Sequence, residues 1–223
     1  GFLYQLEPKM GLFETIRVEQ GQAQLTDLHL ERLTESAKKL NIPLNRNSAE
    51  MAIQQCCENI PEKEKNLSHR LRLDLSHDGK LSAKVFALNE LSDNMKLLWA
   101  RDLFPYDVTM ISSNSFLNHK VTQRSIYDQA WQKAEKLDSF DALFLNEKGY
   151  VTEGGRSNIF IKLDGQWLTP PVESGCLPGV MRSILLKDSS MNALERDILP
   201  SDVIRAQEVI LCNALRGIIP IKK

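Results

Sequence analysis

The chain has almost no charge excess, no long apolar run and no paired-cysteine pattern. Lys and Arg together number 28 against 29 Asp and Glu, a formal net charge of −1. That leaves no basic field for nucleic acid or an anionic membrane surface. No apolar stretch approaches the length of a membrane span and no signal-peptide pattern opens the chain, so a cytoplasmic protein is expected. The first residue is Gly1 rather than Met, as at a trimmed terminus. Of four cysteines, Cys56 and Cys57 are adjacent, Cys176 and Cys212 stand alone, and no C-x-x-C occurs. This argues against a disulfide framework or a cysteine zinc site and fits reduced thiols. Cys176, in a Gly-Pro-rich loop, reads as a small filler residue more readily than as a reactive thiol. The four histidines show no spacing that suggests a metal site, so no metal is expected. Ser112, Ser113 and Ser115 lie in no G-x-S-x-G elbow. Internal repeats and low-complexity tracts are also missing.

What is present is the balance of an ordinary globular protein, 42% hydrophobic and 26% charged. A length of 223 residues suffices for one large domain or two small ones. Residues 10–18 and 22–25 read as strands joined at Gln20-Gly21. A helix follows, capped by Thr26 or Asp27, with Leu30, Leu33, Ala37 and Leu40 at helical spacing, and Asn41-Ile42-Pro43 ends it. A second helix is expected over 48–59. Leu71, Leu73 and Leu75 alternate with Arg70, Arg72 and Asp74 as in a half-buried strand, which His77-Asp78-Gly79-Lys80 turns back into a partner at 81–88.

Residues 91–96 are the best linker candidate. The expected division is 1–95, a small N-terminal α+β domain, and 96–223, a C-terminal domain carrying Lys120. In the second part, a helix is expected over 121–137 and strands at 142–145, 157–163 and 166–168. A helix from Val180 to about Leu186 and closing strands at 208–212 and 218–221 complete the reading. Hairpins and helices together predict an α+β fold and argue against a doubly wound parallel sheet.

Two segments carry chemistry. Lys120 lies in Ser115-Phe116-Leu117-Asn118-His119-Lys120-Val121-Thr122-Gln123-Arg124, and its amine can form a Schiff base with an aldehyde cofactor. Farther on, Thr152-Glu153-Gly154-Gly155-Arg156-Ser157-Asn158 offers a carboxylate that can hold a pyridine nitrogen protonated, or else a surface-turn glutamate. In Ser174-Gly175-Cys176-Leu177-Pro178-Gly179-Val180-Met181-Arg182 a glycine stands directly before a helix start, so the Val180 and Met181 amides could meet an anion. Taken alone, a plain loop-to-helix junction is the commoner meaning. Arg32 could supply a cation, or could be a solvated helix arginine paired with Glu35 or Ser36. Asn213 ends an apolar run, as a site residue or a turn former does. His119 reads as a packing neighbour of Lys120 rather than as a general base.

The order of these segments resembles the class IV pyridoxal-phosphate enzymes: branched-chain aminotransferases, D-amino-acid aminotransferases and aminodeoxychorismate lyases. The resemblance runs from Gly11-Leu12-Phe13-Glu14-Thr15-Ile16-Arg17-Val18, through His29-Leu30-Glu31-Arg32-Leu33, to Cys212-Asn213-Ala214-Leu215. It is greatest to the lyases. His119-Lys120 with Arg124 four residues on looks like their pattern, as do Phe13-Glu14-Thr15-Ile16-Arg17, Trp167-Leu168-Thr169-Pro170-Pro171 and Cys212-Asn213-Ala214-Leu215. Branched-chain aminotransferases place a tyrosine shortly after the lysine; here Arg124 and Ser125 hold that stretch and the nearest tyrosine is Tyr127.

The resemblance implies a fold-type IV architecture, a small α/β sandwich domain followed by a pseudo-barrel. It also implies pyridoxal 5′-phosphate as cofactor. Lys120 would be the catalytic, Schiff-base lysine and Glu153 the partner of the pyridine nitrogen. Arg32, Val180, Met181, Asn213 and Ala214 would hold the phosphate, while Arg17 or Arg124 could take a substrate carboxylate. The implied activity is elimination of pyruvate from 4-amino-4-deoxychorismate to give 4-aminobenzoate for folate synthesis. An aminotransferase is the alternative, and a non-catalytic module of the same fold a third. A homodimer is implied, with an aminodeoxychorismate synthase subunit as a candidate partner.

Overall fold

The first hairpin of the computed structural model, which describes residues 10–91 and 95–223, joins β1 (Leu12–Glu19) to β2 (Gln22–Ala23). Its turn residues Gln20 and Gly21 both have positive φ, 52° and 73°, the backbone that matches strand twist in a two-residue turn. Helix α1 (Thr26–Lys39) follows after two residues. Neither Thr26 nor Asp27 caps it. Leu25, in left-handed conformation at φ 55°, takes the N-cap position without a side-chain hydrogen bond, and the Thr26 hydroxyl donates back to Ala23 O. Helix α2 (Arg46–Glu58) starts two residues earlier than expected, because the Asn45 side chain accepts from Ser48 N at 3.1 Å. The alternating run forms β3 (His69–Leu75) and returns as β4 (Leu81–Ala87).

These strands make one antiparallel sheet in the order β2-β1-β3-β4. Leu12, Ile16, Val18, Leu71, Leu73 and Leu75 pack with Leu30, Leu33 and Ala37 of α1 and with Ala49 and Ile53 of α2. Together with Lys120–Gln123, the described residues up to Leu88 form one compact unit; the described residues of Asn89–His119 and Arg124–Lys223 form another. Of the expected linker, residues 92–94 lie outside the described residues.

The helix expected over 121–137 begins only at Ser125. Residues 120–123 are not helical: Val121 bridges Leu12 and is buried in the first unit's core. Helix α3 (Ser125–Lys136) then buries Tyr127, Ala130 and Ala134 beside Phe104 and Phe144. A two-stranded sheet pairs β5 (Leu143–Leu145) with β6 (Val151–Gly154).

The larger sheet is built from β7 (Asn158–Leu163), β8 (Gln166–Thr169), β9 (Leu194–Glu195), β10 (Glu208–Asn213) and β11 (Gly217–Pro220). Their order is β11-β10-β7-β8-β9, antiparallel except for the β8–β9 pair. Helices α4 (Val180–Lys187) and α5 (Pro200–Arg205) complete the unit. The architecture is α+β, as the hairpins predict. Among the described residues no helix is long and apolar enough to cross a membrane.

Candidate active site

Lys120 is tied to the start of β1. Phe13 N–H donates to its carbonyl at 3.0 Å, and Thr122 N–H donates to Gly11 O at the same distance. A Cβ at Gly11 would lie 2.6 Å from Leu75 O, so a side chain there would push the strand away from its neighbour. Lys120 Nζ sits 4.6 Å from the Phe13 ring centre, within cation–π range.

Arg32 is neither solvated nor paired with Glu35 or Ser36. Its Nε donates to Glu14 Oε2 at 3.0 Å and its Nη2 to Glu14 Oε1 at 2.6 Å, a two-pronged contact. Nη1 has no hydrogen-bond partner among the described residues. Glu14 and His29 are each 1% exposed. Burial alone would raise the Glu14 pKa, but Arg32 and His29 outweigh it and hold it at about 2. Burial is also the largest influence on His29 and lowers its pKa against the pull of Glu14. A neutral ring beside an ionised carboxylate carries its proton on Nδ1, which donates to Glu14 Oε1 at 2.7 Å. This trio was not foreseen as a unit. A charged residue on the apolar face of β1, in step with Leu12, Ile16 and Val18, was the available signal.

In the second unit Glu153, the penultimate residue of β6, is enclosed, and its Oε1 accepts from Leu177 N at 3.1 Å. Asp141, which the sequence reading passed over, builds the turn that follows. Its buried carboxylate accepts from the amides of Ala142, Gly155 and Arg156, each at 2.8 Å, and from the Ser157 hydroxyl at 2.7 Å. Burial raises its pKa in spite of these donors. The turn runs so close to its support that a Cβ on Gly154 would lie 2.2 Å from Asp141 Oδ2, and one on Gly155 2.2 Å from Tyr127 O. Gly154-Gly155 is thus required by close approach, not by positive φ.

The loop leading into α4 is pinned by asparagine amides. Asn118 Nδ2 donates to Val172 O and Cys176 O, both at 2.8 Å. Asn146 and Asn158 each reach a carbonyl at 3.0 Å, those of Ser174 and Leu177. With its carbonyls held by side chains, the loop delivers Gly179 in extended conformation to the helix start, where no side chain caps the first amides. The Val180 and Met181 N–H groups thus remain available to an anion.

Asn213 is committed elsewhere. Its Nδ2 donates to Arg156 O and its Oδ1 accepts from Arg216 N, both at 2.7 Å, so a contact from residues 213–214 to a ligand would come from backbone. Arg17 pairs with Glu19. Arg124 is buried, reaches Gly155 O at 3.4 Å and lies 4.6 Å over the Tyr127 ring. Cys176 is enclosed, and burial pushes its thiol up to about 12, so it is inert filler. Among the described residues no cluster of His, Cys, Asp or Glu is placed to hold a metal ion.

Each unit, taken by itself, carries groups of the kind that suit a phosphorylated pyridine aldehyde. The first unit supplies an amine and a guanidinium held by a buried carboxylate. The second supplies an enclosed carboxylate and an uncapped helix start on a pinned loop.

Comparison with known proteins agrees. The class IV amino-transferase model matches residues 11–223. A provisionally named aminodeoxychorismate lyase of Schizosaccharomyces pombe is 28% identical over 212 residues, covering 93% of this chain and 87% of that protein. D-alanine aminotransferase of Bacillus licheniformis is 23% identical over 232 residues, 95% and 77% of the two chains. A hypothetical aminotransferase of Mycobacterium tuberculosis, solved in its pyridoxal-phosphate-bound form, superposes with a TM-score of 0.79 at 21% identity, covering 95% of this chain and 80% of that one. The chain belongs to the class IV aminotransferase family of pyridoxal-phosphate enzymes.

Proposed function

We propose that this enzyme is a 4-amino-4-deoxychorismate lyase, eliminating pyruvate and yielding 4-aminobenzoate for folate synthesis. The observation that carries the reading is Arg124, four residues after Lys120, in the stretch where branched-chain aminotransferases place a tyrosine. Its guanidinium braces the turn after Glu153 through Gly155 O. The nearest tyrosine, Tyr127, is buried with its hydroxyl unpartnered among the described residues, and burial raises its pKa, so it moves no proton near neutral pH. The lyase name of the fission-yeast relative supports the same reading.

Bound pyridoxal phosphate supplies a conjugated ring that accepts the electron pair left when a proton departs. Lys120 would be the residue that holds the cofactor through its aldehyde, and its amine, once released, would take the proton from the substrate carbon bearing nitrogen. Glu153 would keep the pyridine nitrogen protonated. Arg32, the Val180 and Met181 amides and the backbone at Asn213-Ala214 would be the groups that hold the phosphate. The C–O bond to the enolpyruvyl group would break, the departing enolpyruvate would take up a proton to become pyruvate, and the substrate ring would become aromatic, which drives the step. A homodimer, a cytoplasmic location and an aminodeoxychorismate synthase partner belong to the same proposal.

Cofactor-loaded protein given aminodeoxychorismate should release 4-aminobenzoate and pyruvate in equal amounts, and Lys120→Ala should release neither. Amino-group exchange between an amino acid and a keto acid, without 4-aminobenzoate, would make the enzyme an aminotransferase. A protein that pyridoxal phosphate cannot tint would be a non-catalytic module.

A further inference from the structure

We infer that Glu14, held by His29, is a positioning residue for cofactor phosphate: it fixes the Arg32 guanidinium so that its remaining nitrogen meets the phosphate without reorganisation. The inference rests on the reading of Arg32 as the phosphate cation.

The geometry carries it. Three donors, Arg32 Nε, Arg32 Nη2 and His29 Nδ1, converge on one carboxylate at 2.6–3.0 Å. Oε1 takes two of them and Oε2 one, so Glu14 cannot rotate without breaking a bond. An arginine on a helix surface otherwise samples many rotamers, and ordering it on binding weakens affinity. Here two of its three nitrogens are fixed in advance, and Nη1 is left over among the described residues. His29 cannot drift either, since it is buried on α1 three residues before Arg32.

Glu14 also lies in a telling place on β1. The preceding residue, Phe13, binds the Lys120 carbonyl through its amide and faces Lys120 Nζ with its ring. Phe13 and Glu14 thus contact Lys120 and Arg32 from adjacent positions of one strand. Burying a carboxylate on the inner face of β1 is unfavourable unless it does such work, because an apolar residue there would pack against Leu30 and Leu33 more cheaply.

The test separates phosphate recognition from general packing. Dissociation constants of pyridoxal phosphate and of pyridoxal, which lacks the phosphate, are measured for the wild type, Glu14→Gln, Arg32→Gln and the double variant. Glu14→Gln should weaken pyridoxal phosphate by about tenfold or more, the scale of one charge-assisted hydrogen bond, and leave pyridoxal nearly unchanged. Arg32→Gln should show the same phosphate-specific loss, and the double variant should be no worse than Arg32→Gln alone.

Retained pyridoxal binding certifies the fold of each variant. If Glu14→Gln binds neither ligand, Glu14→Asp decides, since it keeps the charge but withdraws it from Arg32; the same phosphate-specific loss is expected. Equal weakening of both ligands, or no change in either, overturns the inference. A normal phosphate preference in Arg32→Gln would instead overturn the assignment of Arg32 beneath it.

Discussion

Glu14 sits among Leu12, Ile16 and Val18 on the inner face of β1, where a carboxylate persists only if its charge is matched. Its pKa of about 2, against 4.5 for an ordinary glutamate, ties stability to pH. The unfolded chain takes up this proton near pH 4.5 and the folded chain only near 2. The stabilisation is complete above the higher value and is lost as pH falls through the window, on the order of 3 kcal/mol in all. His29 works in the same direction from higher pH: its folded pKa lies below 6.5, so the unfolded chain binds that proton first and stability begins to decline below 6.5. Urea unfolding between pH 5 and 3 should show a shallower loss of stability for Glu14→Gln than for wild type; parallel curves would contradict the pairing. Arg32 itself was legible as a candidate, but its partner was not. Side-chain neighbours on a helix can be read from spacing, whereas Glu14 is 18 residues away on a strand. Asp141 was hidden for the same reason, since three of its four donors lie 14 to 16 residues downstream.

Elements with strong alternation or helical spacing were readable: β1, β3 with its return β4, α1, α2 and α4 all fall close to where their patterns place them. Those that depend on long-range pairing were not. The helix expected from Val121 begins at Ser125 because residues 120–123 pair with the start of β1, and that pairing is what fixes Lys120. β6 escaped notice because Val-Thr-Glu-Gly is buried throughout and shows no alternation. The loop before α4 was recognisable from Gly179, yet its rigidity comes from Asn118, Asn146 and Asn158, scattered over 40 residues of sequence. Asn118→Ala removes two hydrogen bonds to that loop and should lower stability by about 1–2 kcal/mol. It should also weaken pyridoxal phosphate binding, because the Val180 and Met181 amides would no longer be delivered by a fixed loop. Wild-type values for both urea midpoint and cofactor affinity would show the loop to be held by other means.

At the scale of the whole molecule, what identified the chain was the order of several weak motifs along most of its length. Each of them alone had an ordinary structural meaning. The family and its cofactor follow from that order and from the match over residues 11–223. The split between lyase and aminotransferase rests on far less, chiefly Arg124 and the absence of a nearer tyrosine. Relatives bearing both kinds of name stand at comparable identity, 28% and 23%. Both chemistries remove a proton from the carbon bearing nitrogen, so both require the same lysine, and that shared requirement is the central claim. Borohydride reduction of the pyridoxal-phosphate-loaded protein, followed by peptide mapping, tests it most directly. The account predicts a single pyridoxyl label on Lys120 and none in Lys120→Ala; a label on another lysine in the wild-type protein would contradict it.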